Sequence, residues 1–396
     1  MATIAKPVPL ARARTGAPAA FWPLLGLTLL GVGLAVYRLV VGLGPTTNLT
    51  DHYPWGLWIT VDLFLIPVAG AAFTISLISY FLGREDYHAV IRPAVLAGFL
   101  GYGVVGVLLF MDIGRWNHFY NIFVIPWLNL HSFLEEISLC VTLYTIILVL
   151  EIAPVFLEKW GIQAPIRWIN RSIFIIAGAG IVLSMLHQSS LGSMFLLMPH
   201  KLHPLWWTPA LPLLFYLQAV YTGLGMTAIA LRLVWSNLGI PVNRVLFRRI
   251  GQAMSINLML YAAIKVGDWM GSGEVPLLLK PDAFGLIAWL QFIIGIVVPL
   301  AILLSKMVGH TAGPFWAGVF ALIGTFIDRL MISWVGLAEP SPVTYFPSWI
   351  EIMITVGMLS GAVLLYGVVV RYFKLFPEPG ERGRGHYSAE PKEAKP

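Results

Sequence analysis

The sequence predicts an all-α polytopic membrane protein with about ten transmembrane helices, on three observations. Of 396 residues, 58% are hydrophobic and only 11% are charged, against roughly 25% charged in soluble domains. The mean hydropathy is +0.81. The apolar runs are continuous and reach the roughly 20 residues that a spanning helix needs. They lack the short alternating pattern of a transmembrane barrel.

The elements follow in order. Residues 1–20 form a basic N-terminal segment carrying Lys6, Arg12 and Arg14. The apolar stretch 21–43 that follows is too long for a signal-peptide core, and no A-x-A cleavage site comes after it. It is therefore predicted to be a first, uncleaved span. Further spans are predicted near 56–82, 93–113, 132–157, 172–197, 209–234, 250–270, 283–306, 312–338 and 348–371. The transmembrane domain thus covers 21–371, and residues 372–396 form a basic tail. In span three the glycines from Gly98 to Gly106 predict close helix contact.

Charge sets the direction. With the N-terminus inside, 19 of the 25 Lys and Arg residues fall in inner segments, three fall in outer loops (Arg115, Lys201, Lys280) and three within spans (Arg38, Lys265, Arg329). That bias places both termini in the cytoplasm. The basic pI of 9.4 thus reflects topology, and no nucleic-acid partner is implied. The outer loops are rich in Trp, Tyr, Phe and Pro, which suits the membrane interface and also the docking of an extracytoplasmic subunit. The single cysteine, Cys140, excludes an internal disulfide and a Cys-ligated iron–sulfur cluster in this chain.

Ionisable residues inside spans are the candidates for chemistry, because each costs roughly 2.5–3.5 kcal/mol to insert at membrane depth. The fourth span carries Glu135 and Glu136 near its outer end and Glu151 near its inner end. Glu136 and Glu151 are 15 residues apart, hence about 60° apart around the axis and about 22 Å along it. One helix can present acidic stations on a shared face at two depths. Glu135 points about 100° away. Lys265 and Asp268, three residues apart, are expected to neutralise each other, whereas the adjacent Asp328 and Arg329 are expected to need separate partners. Any of these can equally be a buried pair that fixes helix packing.

Histidine bears on haem. Only His187 of the nine lies well within a span, so no His pair for a b-type haem is evident. His187 opens the polar run His187-Gln188-Ser189-Ser190-Leu191-Gly192-Ser193. Two readings fit it: polar packing between helices, or the wall of a site for a polar head group such as a quinone. Asp62, Asp112, Arg115, His131, Glu136, His187 and Gln188 all fall near the outer ends of spans two to five, so one polar pocket can collect them.

Several segments together resemble the NrfD/PsrC family of quinone-interacting membrane subunits, and within it the subunits of nickel–iron hydrogenases. They include Arg38-Leu-Val-Val-Gly-Leu-Gly44, Pro54-Trp-Gly-Leu-Trp58 followed by Asp62, Gly101-Tyr102, and Asp112-Ile-Gly-Arg115. The order continues through Glu136 with Cys140, Leu150-Glu-Ile-Ala-Pro154, the His187 run, His203-Pro-Leu-Trp206 and Tyr345-Phe-Pro-Ser-Trp349. The resemblance implies two four-helix bundles plus flanking helices in a bacterial inner membrane. It implies a periplasmic ferredoxin-like iron–sulfur partner, hydrogenase large and small subunits, and exchange of electrons with menaquinone or ubiquinone, without haem in this chain. It further implies that Tyr102, Glu136 and Glu151 form a proton path. Relatives serving molybdenum, multihaem or sulfite-reduction complexes make those alternative parents. An ion-coupled secondary transporter is the rival class, and its paired broken helices are not evident here.

Overall fold

The computed structural model describes residues 19–84, 87–124, 129, 131–238, 244–337 and 344–375. Ten long helices carry the described chain: α1 (Phe21–Val41), α2 (Leu57–Phe81), α3 (His88–Asp112), α4 (Phe133–Lys159) and α5 (Gln163–Leu196), then α6 (Leu211–Leu238), α7 (Arg244–Gly271), α8 (Ala283–Leu304), α9 (Ala312–Ser333) and α10 (Trp349–Tyr372). Among the described residues, nine of these are long and apolar enough to span a bilayer. The tenth, α7, has 28 residues but carries Arg244, Arg248 and Arg249 at one end and Lys265 and Asp268 near the other. Its apolar middle is the shortest.

Helix α5 starts at Gln163, nine residues before the predicted start at 172. Arg167, Asn170 and Arg171 interrupt apolarity but not helix geometry, and no breaker follows Pro165 in the first turn. Its 34 residues measure about 51 Å, well beyond the ~30 Å hydrocarbon core, so its first turns extend past the apolar layer. The N-terminus of α8 is set differently: Asp282 accepts from the backbone N–H of Gly285 at 2.8 Å. That bond holds the Asp282 carboxyl below its usual range.

Helices α2–α5 form one four-helix bundle and α6–α9 a second, joined where α2 packs on α6 and α9 and α5 packs on α6. Helices α1 and α10 pair with each other and flank the first bundle along α3. Loops 42–56, 113–124 and 197–210 and the segments 334–337 and 344–348 meet at one end: Asn48 Nδ2 donates to the carbonyl of Phe346 at 2.8 Å, the His203 amide to Gly336 at 3.2 Å and Trp116 Nε1 to Leu39 at 2.9 Å. Tyr53 donates to the Trp334 carbonyl in the same layer, and burial pushes its phenol up to about 12. At the opposite end, Arg92 clamps Glu158 with two bonds of 2.6 and 3.0 Å and reaches the carbonyl of Lys374.

Gly98 and Gly101 bear out close contact between α3 and α2: a Cβ at Gly98 would meet Ala72 Cβ at 2.8 Å, and one at Gly101 would meet Ala69 Cβ at 3.0 Å. Gly103 and Gly106 face open space. The tightest flanking contact is Gly357 on Gly31, where an added Cβ would lie 2.5 Å from the opposing Cα. Gly357→Leu is expected to separate α10 from α1 and to destabilise by roughly 1–3 kcal/mol through overpacking. Gly367→Leu, with nothing within 4 Å, is expected to be neutral. Thermal unfolding of the purified chain in detergent distinguishes the two.

Candidate functional site

The first bundle contains a file of polar side chains, buried except for the partly buried Glu136 at one end. On α4 the residues Glu136, Tyr144 and Glu151 are spaced eight and seven apart, about 80° and about 20° around the axis, and so lie within one side of the helix. Glu136 Oε1 accepts a hydrogen bond from Ser190 Oγ on α5 at 2.6 Å. Near that contact His187 is fully buried, and its ring lies 6.0 Å from that of Tyr102 on α3. Tyr102 meets Tyr144 edge-on at 4.8 Å. The Ser184 hydroxyl sits close to both phenol oxygens without a hydrogen bond of good geometry. Tyr144 in turn lies within electrostatic reach of Glu151, which is buried in the same core.

This file divides the 22 Å separation of the two glutamates at Tyr144, about 12 Å from one and about 10 Å from the other along the axis. Tyr144 and Ser184 were not singled out in the sequence. The signal was present: Tyr144 continues the Glu136 stripe, and Ser184 lies three residues before His187, on its face.

A second group gathers at the loop-rich end between α1, α2 and α3. Asp62 is buried, and neither of its oxygens has a hydrogen-bond partner. Asp112 is near enough for the two charges to interact. Arg38 of α1 lies within electrostatic reach of Asp112; it is fully buried, its Nη2 donates to the Ile113 carbonyl at 2.8 Å, and Nε and Nη1 have no hydrogen-bond partner. Arg38, a lone cation in an otherwise apolar first span, belongs with these residues. Gln188 links the two groups: its Nε2 donates to the Ile66 carbonyl at 3.2 Å, one turn along α2 from Asp62, and its Oε1 is unpartnered.

The structure thus brings Asp62, Tyr102, Asp112, Glu136, Glu151, His187 and Gln188 into the first bundle. Arg115 and His131 are exposed in the 113–132 loop and do not join them. Glu135 faces away from the file and has one buried, unpartnered oxygen. Each unpartnered buried group costs about 1–3 kcal/mol. Both ring nitrogens of His187, Tyr102 Oη, Gln188 Oε1 and both Asp62 oxygens are of this kind. A ligand head group carrying both acceptors and donors would offset that cost. Among the described histidines only His187 is buried, so no second imidazole faces it.

Among the remaining charges, Asp328 and Arg329 have separate partners as expected: Asp328 accepts from Gln291 at 2.8 Å and the Arg329 guanidinium lies over the Phe215 ring, with 3.8 Å between the two charges. Lys265 and Asp268 differ from expectation. Lys265 donates to the Leu205 carbonyl at 3.2 Å, and Asp268 accepts from Thr208; loop backbone at the helix end competes with the i,i+3 pair. Glu351 is a helix cap, receiving Tyr345 Oη at 2.5 Å and the amides of Ser348 and Asn48.

Comparison with known proteins agrees in extent with these features. Residues 45–339 match the family model described as polysulphide reductase, NrfD. The chain is 30% identical over 376 residues to a probable Ni/Fe-hydrogenase 2 b-type cytochrome subunit of Escherichia coli K12, covering 93% of this chain and 94% of that one. It is 28% identical to the integral membrane subunit of a menaquinone reductase from Nitratidesulfovibrio vulgaris Hildenborough, with coverage of 92% and 93%. A more distant relative, 21% identical with coverage of 84% and 87%, is the integral membrane subunit of an Hdr-like menaquinol oxidoreductase from Archaeoglobus fulgidus.

Proposed function

The chain belongs to the NrfD family, and from that premise we propose that it is the quinone-reactive membrane subunit of a respiratory oxidoreductase. In this reading it anchors a periplasmic ferredoxin-like iron–sulfur subunit on its loop-rich end, exchanges electrons with menaquinone or ubiquinone, and conducts protons. The parent enzyme is a nickel–iron hydrogenase, with large and small subunits beyond the iron–sulfur protein. The observation that carries the reading is the file of polar side chains from the partly buried Glu136 through the buried His187, Tyr102 and Tyr144 to Glu151. Apolar packing alone would not retain five such groups in one bundle.

The geometry supports a division of labour. The quinone head group is placed in the outer half of the bundle, where His187, Gln188 and Asp62 offer polar atoms to its two oxygens. Quinone reduction takes up two electrons and two protons. The electrons arrive from the iron–sulfur partner at the loop-rich end. The protons arrive along α4: Glu151 receives them from the inner side, Tyr144 and Tyr102 hand them on, and Glu136, fixed by Ser190, delivers them beside the head group. The positive-inside bias supports the orientation, with both termini cytoplasmic in a bacterial inner membrane.

The menaquinone-reductase relative favours a second reading of the parent complex, with the same membrane role under a different catalytic partner. Purification from native membranes through a tag on this chain tests the assignment. Recovery of hydrogenase large and small subunits with a four-cluster ferredoxin supports it, and recovery of a molybdenum or multihaem subunit instead transfers the role to that parent.

The relative named as a b-type cytochrome raises haem as a question of fit. A b-type haem needs two axial side chains facing across the bundle, and His187 faces tyrosines. The reduced-minus-oxidised absorption spectrum of the isolated subunit is expected to show no b-type band at stoichiometric amount. Such a band would overturn this part of the proposal.

A further inference from the structure

The second bundle holds a line of buried polar groups that quinone chemistry does not use. Its most buried charge is Arg329 on α9, with Nε, Nη1 and Nη2 all lacking a hydrogen-bond partner. The guanidinium lies 3.3 Å from the Phe215 ring centre and 3.8 Å from Asp328. Tyr221 and Tyr261, rings 5.4 Å apart, flank this pair. Lys265, buried on α7, lies within electrostatic reach of Asp328, Asp268 and Glu274. Glu274 stands at the surface, partly exposed in the 272–282 loop.

Charges therefore run inward from Glu274 through Asp268, Lys265 and Asp328 to Arg329. Lys265 is about 9 Å from the end of α7 and Arg329 about 6 Å from that of α9, while Tyr261 is about 15 Å in, so the charges stand near the loop-rich end and the two tyrosines continue the line toward the middle of the bilayer. Below it the bundle closes. Thr222 and Thr325 hydroxyls bond at 2.9 Å, and glycine pairs bring backbone onto backbone. A Cβ on Gly318 would meet Gly225 O at 2.6 Å, and one on Gly324 would meet Gly295 Cα at 2.1 Å. The line is open at one end and sealed at the other.

A network that only fixed packing would satisfy its own polar atoms, as Gln291 does by donating to Asp328 at 2.8 Å and accepting from Trp206 at 3.2 Å. The three guanidinium nitrogens of Arg329 and Asp268 Oδ2 remain without a hydrogen-bond partner in the protein, although Arg329 lies over the Phe215 ring and near Asp328. Buried donors and acceptors of this kind bind water, and aligned ionisable groups at membrane depth mark proton routes. We propose that the α6–α9 bundle contains an aqueous half-channel that carries protons between the loop-rich face and the middle of the bilayer, closed beneath Thr325. At its mouth, burial raises the Glu274 carboxyl to about 7, against the opposing charge of Lys265, so this group takes up and releases protons near neutral pH.

Hydroxyl-radical footprinting by X-ray radiolysis of the intact complex in nanodiscs tests for the water. After correction for intrinsic reactivity, Tyr221 and Tyr261 are expected to be oxidised roughly tenfold more than Phe247, which is equally buried at the opposite, arginine-bearing end of α7, away from the Glu274–Arg329 line. Labelling at the level of Phe247 overturns the half-channel, whether or not the chain turns over quinone. The proton role rests on the quinone reading and has its own measurement: protons moved per quinone reduced in proteoliposomes. Asp328→Asn, and separately Glu274→Gln at the exposed mouth, are expected to lower that ratio roughly twofold or more while uncoupled quinone reduction stays near wild type. An unchanged ratio in both variants overturns proton carriage by this bundle.

Discussion

Glu136→Gln and Glu151→Gln each reduce quinone-linked turnover by roughly 10²-fold or more, the scale of losing a positioned proton donor. Glutamine keeps the shape of the carboxyl and can still accept from Ser190, so the 2.6 Å contact of Glu136 has a substitute and the bundle stays assembled. What is lost is the ability to hold and release a proton. Reduction of an artificial dye by the catalytic partner, which bypasses the quinone, stays near wild type. Glu135→Gln is milder because Glu135 points away from the file. The measurement is quinone reduction in membranes beside dye reduction in the same preparation. Full quinone activity in both Gln variants would make the acidic pair structural.

Tyr144→Phe and Tyr102→Phe lower the same turnover by roughly 10- to 100-fold, again sparing dye reduction. Each change removes one hydroxyl and leaves the ring, so the 4.8 Å edge-on packing of the two rings persists. Cys140→Ala supplies the control. Cys140 is buried one turn from Glu136 on the same helix, but it contributes no hydroxyl to the file. A proton route predicts that the two Tyr variants lose rate together and that the double variant is little worse than either one, since both interrupt a single line. Additive small losses would indicate packing damage.

Nine of the ten predicted spans were legible because length and continuous apolarity decide them; the charges of α7 set that helix apart. Span ends were less so: α5 begins nine residues early because a helix continues through charged turns once outside the apolar layer. The two glutamates were readable from 3.6-residue geometry alone, since both lie on one helix. Tyr144 and Ser184 were not singled out, because a Tyr or Ser among apolar residues looks ordinary until the neighbouring helix places His187 and Tyr102 beside it. Arg38 was visible as a lone cation, yet its approach to Asp112 depends on α1 packing against α3, which no periodicity encodes. Arg115, the nearer basic residue in sequence, faces solvent instead.

The central claim is that the quinone head group sits in the outer half of the α2–α5 bundle, at the upper end of the α4 proton file. The most direct test is a cryo-electron microscopy map of the intact complex with a bound quinone or a head-group inhibitor. The account predicts density beside His187 and Gln188, within hydrogen-bonding reach of their side chains and close to Glu136. Head-group density at the opposite end, near the Arg92–Glu158 pair, would contradict it.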